Sequence, residues 1–171
     1  MAWSTSAPTL PSGSSWGGTQ STTAYTANHF KISAQLSIAR LAGTGVAVKV
    51  VFTLENGSYG DYDNTKYFYL KTDSEAADTS IGFPSGTGTK TVYWQGTADA
   101  GATVSVTVGV NNTSASQQTK ALTAPDLLAL PIWYNDNGTL KQVEKAYYND
   151  NGTIKECAAY YNDGGTIKEI K

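Results

Sequence analysis

Apolar and polar residues alternate with a period of two over several short stretches of the chain, the spacing of a β-strand with one face buried. Phe30, Ile32, Ala34, Leu36 and Ile38 alternate with Lys31, Ser33, Gln35 and Ser37. Val46, Val48, Val50, Phe52 and Leu54 alternate in the same way with Ala47, Lys49, Val51, Thr53 and Glu55. Gly43-Thr44-Gly45 turns the chain between them, so the two stretches are expected to pair antiparallel. A short strand is predicted over 66–71, with Tyr67 and Tyr69 on one face and Phe68 and Leu70 on the other. Further strands are predicted over 89–95, with Val92 and Trp94 facing alike, over 102–110, where four valines alternate with Thr103, Ser105 and Thr107, and over 117–122. The polar loop 56–65 carries Tyr59, Asp61, Tyr62 and Asp63, and 72–88 is a long connection. No stretch has the period of a helix. Short alternating strands separated by Gly and Asn turns predict an all-β fold, an antiparallel β-sandwich over 26–124, either immunoglobulin-like or jelly-roll.

The two ends follow other rules. Residues 1–25 are rich in Ser, Thr, Gly and Pro and are expected to form an extended arm with Trp3, Leu10 and Trp16 as widely spaced apolar anchors. Those anchors have two possible seats, their own domain or a neighbouring subunit, since ordered tryptophans need a surface to bury against. Residues 125–131 form a linker in which Pro125 and Pro131 bracket Leu127, Leu128 and Leu130, and an exposed apolar run of this kind is a candidate interface.

Residues 132–171 carry one phrase three times: Trp133-Tyr134-Asn135-Asp136-Asn137-Gly138-Thr139, Tyr147-Tyr148-Asn149-Asp150-Asn151-Gly152-Thr153 and Tyr160-Tyr161-Asn162-Asp163-Gly164-Gly165-Thr166. Asn-Gly or Gly-Gly after an aromatic strand predicts a β-hairpin in each copy, with Gly138, Gly152 and Gly165 closing the turns. A two-residue turn and a three-residue turn with a bulge would both use that glycine. The apolar residues after each turn, such as Leu140 and Val143, are spaced three apart, so a bend or bulge within each copy is expected, with successive hairpins winding about an axis.

The sequence has 12 Lys and Arg against 14 Asp and Glu, a formal net charge of -2, with the charges scattered. This leaves no electrostatic footprint for nucleic acid or an anionic membrane. No run approaches the length of a membrane span, and the first residues have neither the basic segment nor the apolar run of a secretory signal. Cys157 is the single cysteine and stands at the repeat position of Val143 and Ile170, where it serves as a small apolar residue.

The Tyr-Tyr-Asn-Asp-Asn-Gly-Thr phrase resembles the short C-terminal hairpin repeats of structural proteins of tailed bacteriophages, over residues 132–171. The resemblance implies a non-enzymatic role on the virion, in capsid decoration, a head fibre or a tail appendage. It also implies a homo-oligomer, with trimeric symmetry favoured, and capsid or tail proteins as partners. On that reading the protein is made in the host cytoplasm without a signal peptide. Trp3, Leu10, Trp16, Leu127, Leu128 and Leu130 are then the assembly and anchoring residues.

The same phrase is similar to the choline-binding repeats of cell-wall proteins, which cage a quaternary ammonium between aromatic rings. The period here is shorter, and only Trp133 represents their tryptophans. The repeat aromatics Trp133, Tyr134, Tyr147, Tyr148, Tyr160 and Tyr161 serve either packing or ligand stacking. The alternative function is a carbohydrate- or cell-surface-binding module, with Tyr59 and Tyr62 joining those rings as stacking platforms and a host-surface glycan as the partner.

No catalytic constellation is legible. His29 is the only histidine, and neither a nucleophile elbow nor a partnered cysteine accompanies it, so it is expected to be a strand-edge packing residue. Metal sites built on several His or Cys are excluded by count, and Asp61, Asp63 and Asn64 alone are too few for a calcium loop. Glu55, Asp61, Asp63, Asp73, Glu75 and Asp78 are expected to be solvated loop acids rather than a glycosidase pair. No cofactor and no metal are expected.

Overall fold

The computed structural model describes residues 3–128 in full and, beyond them, the backbone of six strands between residues 132 and 170. The chain divides into two compact units, Met1–Asp126 and Leu127–Lys171.

In the first unit every regular element is a strand. The larger sheet holds β1 (Gly17–Ser21), β3 (Lys31–Arg40), β4 (Gly45–Glu55) and β6 (Gly88–Thr97) in the order β1-β3-β4-β6, with the two-residue β2 (Tyr25–Thr26) also pairing β3. The smaller sheet holds β5 (Phe68–Thr72), β7 (Thr103–Val110) and β8 (Thr113–Thr123) in the order β5-β7-β8. All pairings are antiparallel. The two sheets contribute to a single buried cluster: Ile32, Leu36, Ile38, Val48, Val50, Phe52 and Trp94 from one, Phe68, Leu70, Val104, Val106, Val108 and Leu122 from the other. The unit is therefore a sandwich-like all-β fold. The alternating positions of the sequence supply these core residues because successive strand side chains point to opposite faces.

At one end of the core the four phenylalanines collect. Phe52 and Phe68 stack at 4.1 Å, and Phe83 lies 4.9 Å from Phe68 and 5.7 Å from Phe30. Phe83 comes from the 72–88 connection, which runs beside β5 through the bridges Tyr67↔Gly82 and Leu70↔Asp78.

At the opposite end of β3, Arg40 is 1% exposed. Among the described residues no carboxylate partners it. Its Nη1 donates to the carbonyls of Thr44 (3.1 Å) and Ala98 (2.7 Å), and its Nε (3.0 Å) and Nη2 donate to that of Pro125. One guanidinium thus joins the β3–β4 turn, the end of β6 and the chain's exit from the unit, with four of its five N–H donors taken by backbone oxygens.

The N-terminal residues are not an arm held away from the fold. Trp3 is 6% exposed and belongs to the core of its own unit. Ser4 forms an antiparallel bridge with Tyr93, exchanging both backbone hydrogen bonds at 2.9 and 2.7 Å with the outer edge of β6. Trp3 N donates to Asp78 Oδ2 at 3.3 Å. Residues 3–4 therefore tie the β6 edge of one sheet to the connection flanking β5 of the other. Of the two seats expected for Trp3, its own domain or a neighbouring subunit, the indole occupies the first.

Residues 17–21, expected within the arm, are the edge strand β1. A side-chain pattern is absent there because an edge strand exposed on its faces is held by the backbone ladder alone. One extra residue between Gly17↔Ile38 and Gln20↔Leu36 makes a bulge, at which Gly18 takes φ 59°. At the other seam Gln118 on β8 reaches across to Thr23, its Oε1 accepting from Thr23 N at 3.0 Å and its Nε2 donating to Thr23 O at 2.9 Å.

Asp78 gives the N-terminal tie a pH dependence. Burial disfavours its carboxylate, but bonds from Ser80 Oγ (2.7 Å), Ser80 N (2.8 Å) and Trp3 N (3.3 Å) outweigh that and hold its pKa below the ordinary 3.8. A pKa depressed by folding contributes stability that is present above the unfolded value and lost as pH falls through the folded one. Asp78→Asn is expected to flatten the fall in melting temperature below about pH 4. Parallel wild-type and variant profiles in thermal melts between about pH 5 and pH 3 would show that this contact carries none of the acid sensitivity.

In the second unit, β9 (Ile132–Asp136) pairs β10 (Thr139–Val143), β11 (Ala146–Asp150) pairs β12 (Thr153–Cys157), and β13 (Ala159–Asp163) pairs β14 (Thr166–Ile170). Each pair is a separate two-stranded antiparallel sheet. Asp136, Asp150 and Asp163 stand opposite Thr139, Thr153 and Thr166, so each connection is two residues long. The five pairs of each hairpin run without a register shift, so the bend or bulge expected within each copy does not lie inside the paired strands. Gly138, Gly152, Gly165 and Leu130 lie outside the described residues.

Candidate functional site

A cluster of polar groups sits above the phenylalanine cluster, where residues 27–30 meet the loop 57–66. The two segments are docked by main chain: Ser58 N donates to Ala27 O (2.9 Å), Tyr59 N to Asn28 O (2.8 Å) and Asp63 N to His29 O (2.8 Å). Gly57 permits the approach. A Cβ there would lie 2.4 Å from Ala27 O and from Phe30 N, closer than side-chain carbon ever comes to backbone.

This docking sets His29 against Asp61, whose Oδ1 and Oδ2 are 3.0 and 2.9 Å from Nδ1. Tyr59, 70% exposed, meets the imidazole edge-on at 5.5 Å. His29 is thus an exposed loop residue with a carboxylate partner, and the expectation of a packing histidine is corrected. The cause is the turn of residues 27–30, which keeps His29 out of β3, a strand that begins only at Lys31.

Asp63 faces the other way. Its Oδ1 accepts from Thr65 Oγ1 (2.5 Å) and Thr65 N (2.9 Å), and its Oδ2 lies 3.5 Å from Lys66 Nζ. The Thr65 bonds, reinforced by the Lys66 charge, outweigh a small desolvation and lower the Asp63 pKa, so the group is an ionised acceptor at neutral pH. Tyr62 is half-buried at the margin of the core. Its ring lies on Phe83 at 6.1 Å, and its hydroxyl is buried without a hydrogen-bond partner among the described residues. Burial, with the Asp63 charge adding, pushes the phenol up to about 12.

Between these groups and the start of β8 lies an open depression of about 400 Å³, whose walls include Tyr25, Asn28, His29, Asp63, Lys66 and Thr113. The sequence marks Tyr59, Asp61 and Asp63 as one polar loop but gives no sign of Asn28, Lys66 or Thr113. Those three come from segments that no local pattern links.

The expected anchoring residues are dispersed. Trp3 is in the core, and Leu10 is half-buried. Trp16 packs on the outer face of the larger sheet, 5.9 Å from Tyr93 and with Lys49 Nζ 4.9 Å above its ring. Leu127 is 45% exposed and Leu128 half-buried. The repeat aromatics occupy equivalent register positions: Trp133, Tyr147 and Tyr160 stand opposite Gln142, Glu156 and Glu169, and Tyr134, Tyr148 and Tyr161 opposite Lys141, Lys155 and Lys168.

Among the loop acids, Glu55 pairs with Lys31 (2.7 Å) and Asp73 accepts from Ser105 N (3.2 Å). Among the described residues no three His, Cys, Asp or Glu side chains group as a metal site would require, and no helix is long and apolar enough to cross a membrane.

Fold and site together define a sandwich-like all-β protein with a polar loop cluster at one end and a separate hairpin unit after it. No protein-family model matches the sequence, and comparison with curated proteins and with solved structures returned no match.

Proposed function

We propose that the chain is a non-enzymatic structural protein of a tailed-bacteriophage virion, in which the second unit assembles copies of the chain and the first is the domain they display. The observation that carries this reading is the hairpin unit. Three copies of one phrase pair over the same five positions, each as its own two-stranded sheet. A lone two-stranded hairpin is marginal in water and gains stability when its faces are covered, and stacking repeats or identical chains would supply that cover. The phage repeats that the phrase resembles point to a particle, and a symmetric particle would turn weak contacts into avidity. With Trp3 committed to its own core, assembly falls to the hairpins and to exposed Leu127 rather than to the N terminus.

The test is solution mass by light scattering, comparing the whole chain with a chain ending at Leu128. A closed oligomer, with the trimer favoured, is expected for the whole chain and a monomer for the shorter one. Monomers in both cases would remove the assembly role. The virion role further requires that the chain co-sediment with purified particles.

A further inference from the structure

The depression beside the docked loops has a chemistry of its own. Three segments distant in sequence meet there: residues 25–30, which are β2 and the turn after it, the loop 57–66, and the first residue of β8. At about 400 Å³ it falls in the lower part of the range of small-molecule sites.

Its polar groups are largely unused. The side chains of Asn28 and Thr113 have no hydrogen-bond partner among the described residues, and Lys66 has only the 3.5 Å contact with Asp63 Oδ2. Asp63, in the lining, has its Oδ1 committed to Thr65, which fixes the carboxylate and leaves Oδ2 with only the Lys66 contact. Tyr25, tilted against Phe30 at 6.2 Å, contributes a half-buried aromatic wall. An ionised carboxylate beside a single lysine disfavours phosphate and other strong anions, and this density of amide, hydroxyl and charge disfavours an apolar ligand. What remains is a small ligand with several hydroxyls and one apolar face.

We propose that the depression binds one neutral pyranose ring of a glycan, with Tyr25 against the apolar face of the sugar, Asp63 accepting from its hydroxyls, and Asn28, Lys66 and Thr113 completing the hydrogen bonds. The backbone bonds that dock 57–66 onto 27–30 hold these groups in place before the ligand arrives, which lowers the ordering cost of binding. The site uses neither the hairpin unit nor Tyr59 and does not depend on assembly, so the two proposals fail independently.

The experiment is an amide-correlation NMR titration of the full chain with the methyl glycosides of glucose, galactose, mannose and N-acetylglucosamine, and with N-acetylneuraminic acid as the acidic counterpart. Saturable shifts at residues 28, 29, 63 and 66 are expected with at least one neutral glycoside, with a Kd of about 1–10 mM. Asn28→Ala and Lys66→Ala should each weaken that binding about tenfold while leaving distant amides unmoved. Tyr160→Ala should leave it unchanged. If no neutral glycoside produces saturable shifts at these amides, if only the acidic sugar does, or if the shifts fall on the hairpin unit, the site is not a neutral-sugar site.

Discussion

Replacing Trp3 with alanine is expected to destabilise the first unit by about 3–5 kcal/mol, the range for removing a buried aromatic from a core. The melting temperature should fall by more than about 10 °C. The size of the effect follows from where the indole sits. It is buried in the core that both sheets share, and the backbone on either side of it holds the seam, through Ser4 on Tyr93 and through its own N–H on Asp78. Loss of the ring removes the reason for this tie to stay in place, and the outer backbone groups of β6 then become available for pairing with another chain. The variant should therefore also self-associate as it is warmed.

Trp16→Ala is the internal comparison. Its ring lies half-exposed on Tyr93 and Lys49, and losing it should cost about 1 kcal/mol. Thermal melts of both variants, followed by near-ultraviolet dichroism and scattering, check the pair. A Trp3→Ala melting temperature within about 2 °C of the wild type would mean that the indole carries no core packing.

Gly57→Ala is expected to destabilise the unit by about 2–3 kcal/mol and to undo the loop cluster. The added methyl would meet the Ala27 carbonyl oxygen, the Phe30 nitrogen and the Asn28 carbonyl carbon at 2.4, 2.4 and 2.6 Å, and all three are main chain. Backbone cannot swing aside as a side chain can, so one segment must withdraw from the other. The bonds from Ser58, Tyr59 and Asp63 lengthen together, and His29 separates from Asp61. Urea unfolding gives the stability loss, and faster hydrogen exchange at the amides of 58, 59 and 63 localises it. Gly17→Ala is the control, since a Cβ there meets nothing within 4 Å. Equal exchange rates in Gly57→Ala and wild type would mean that the two segments are not held by this close approach.

Much of the first unit was legible in the sequence for a definite reason. A half-buried strand writes its burial as a period of two, and the stretches 30–38, 46–54, 89–95 and 102–110 carry that period within a residue or two of the strands observed. Where burial does not alternate, the signal is lost. β1 is an exposed edge strand whose Gly-Gly-Thr-Gln-Ser resembles any loop, and it is held by main-chain bonds to β3 that leave no mark on side-chain choice. Phe83 is a lone aromatic in a polar connection, and only its meeting with Phe30 and Phe68 makes it core. Arg40 reads as the polar end of a strand, yet it is among the most buried side chains because three carbonyls from separate segments surround its guanidinium.

The sequence by itself determined the all-β class, the pairing of Lys31–Arg40 with Gly45–Glu55, the faces of the strands and the threefold phrase at the C terminus. These depend on local spacing, turn residues and repetition. Tertiary structure decided the rest: that Trp3 turns inward to close the seam of its own domain, that the Tyr62 ring packs on Phe83 and buries its hydroxyl, and that Asn28, Asp63, Lys66 and Thr113 share one depression. Each of these depends on segments tens of residues apart coming together. Which side of a loop faces a neighbour is set by the backbone bonds and close approaches that bring it there, as Gly57 does for 57–66, and single-residue chemistry does not encode that direction.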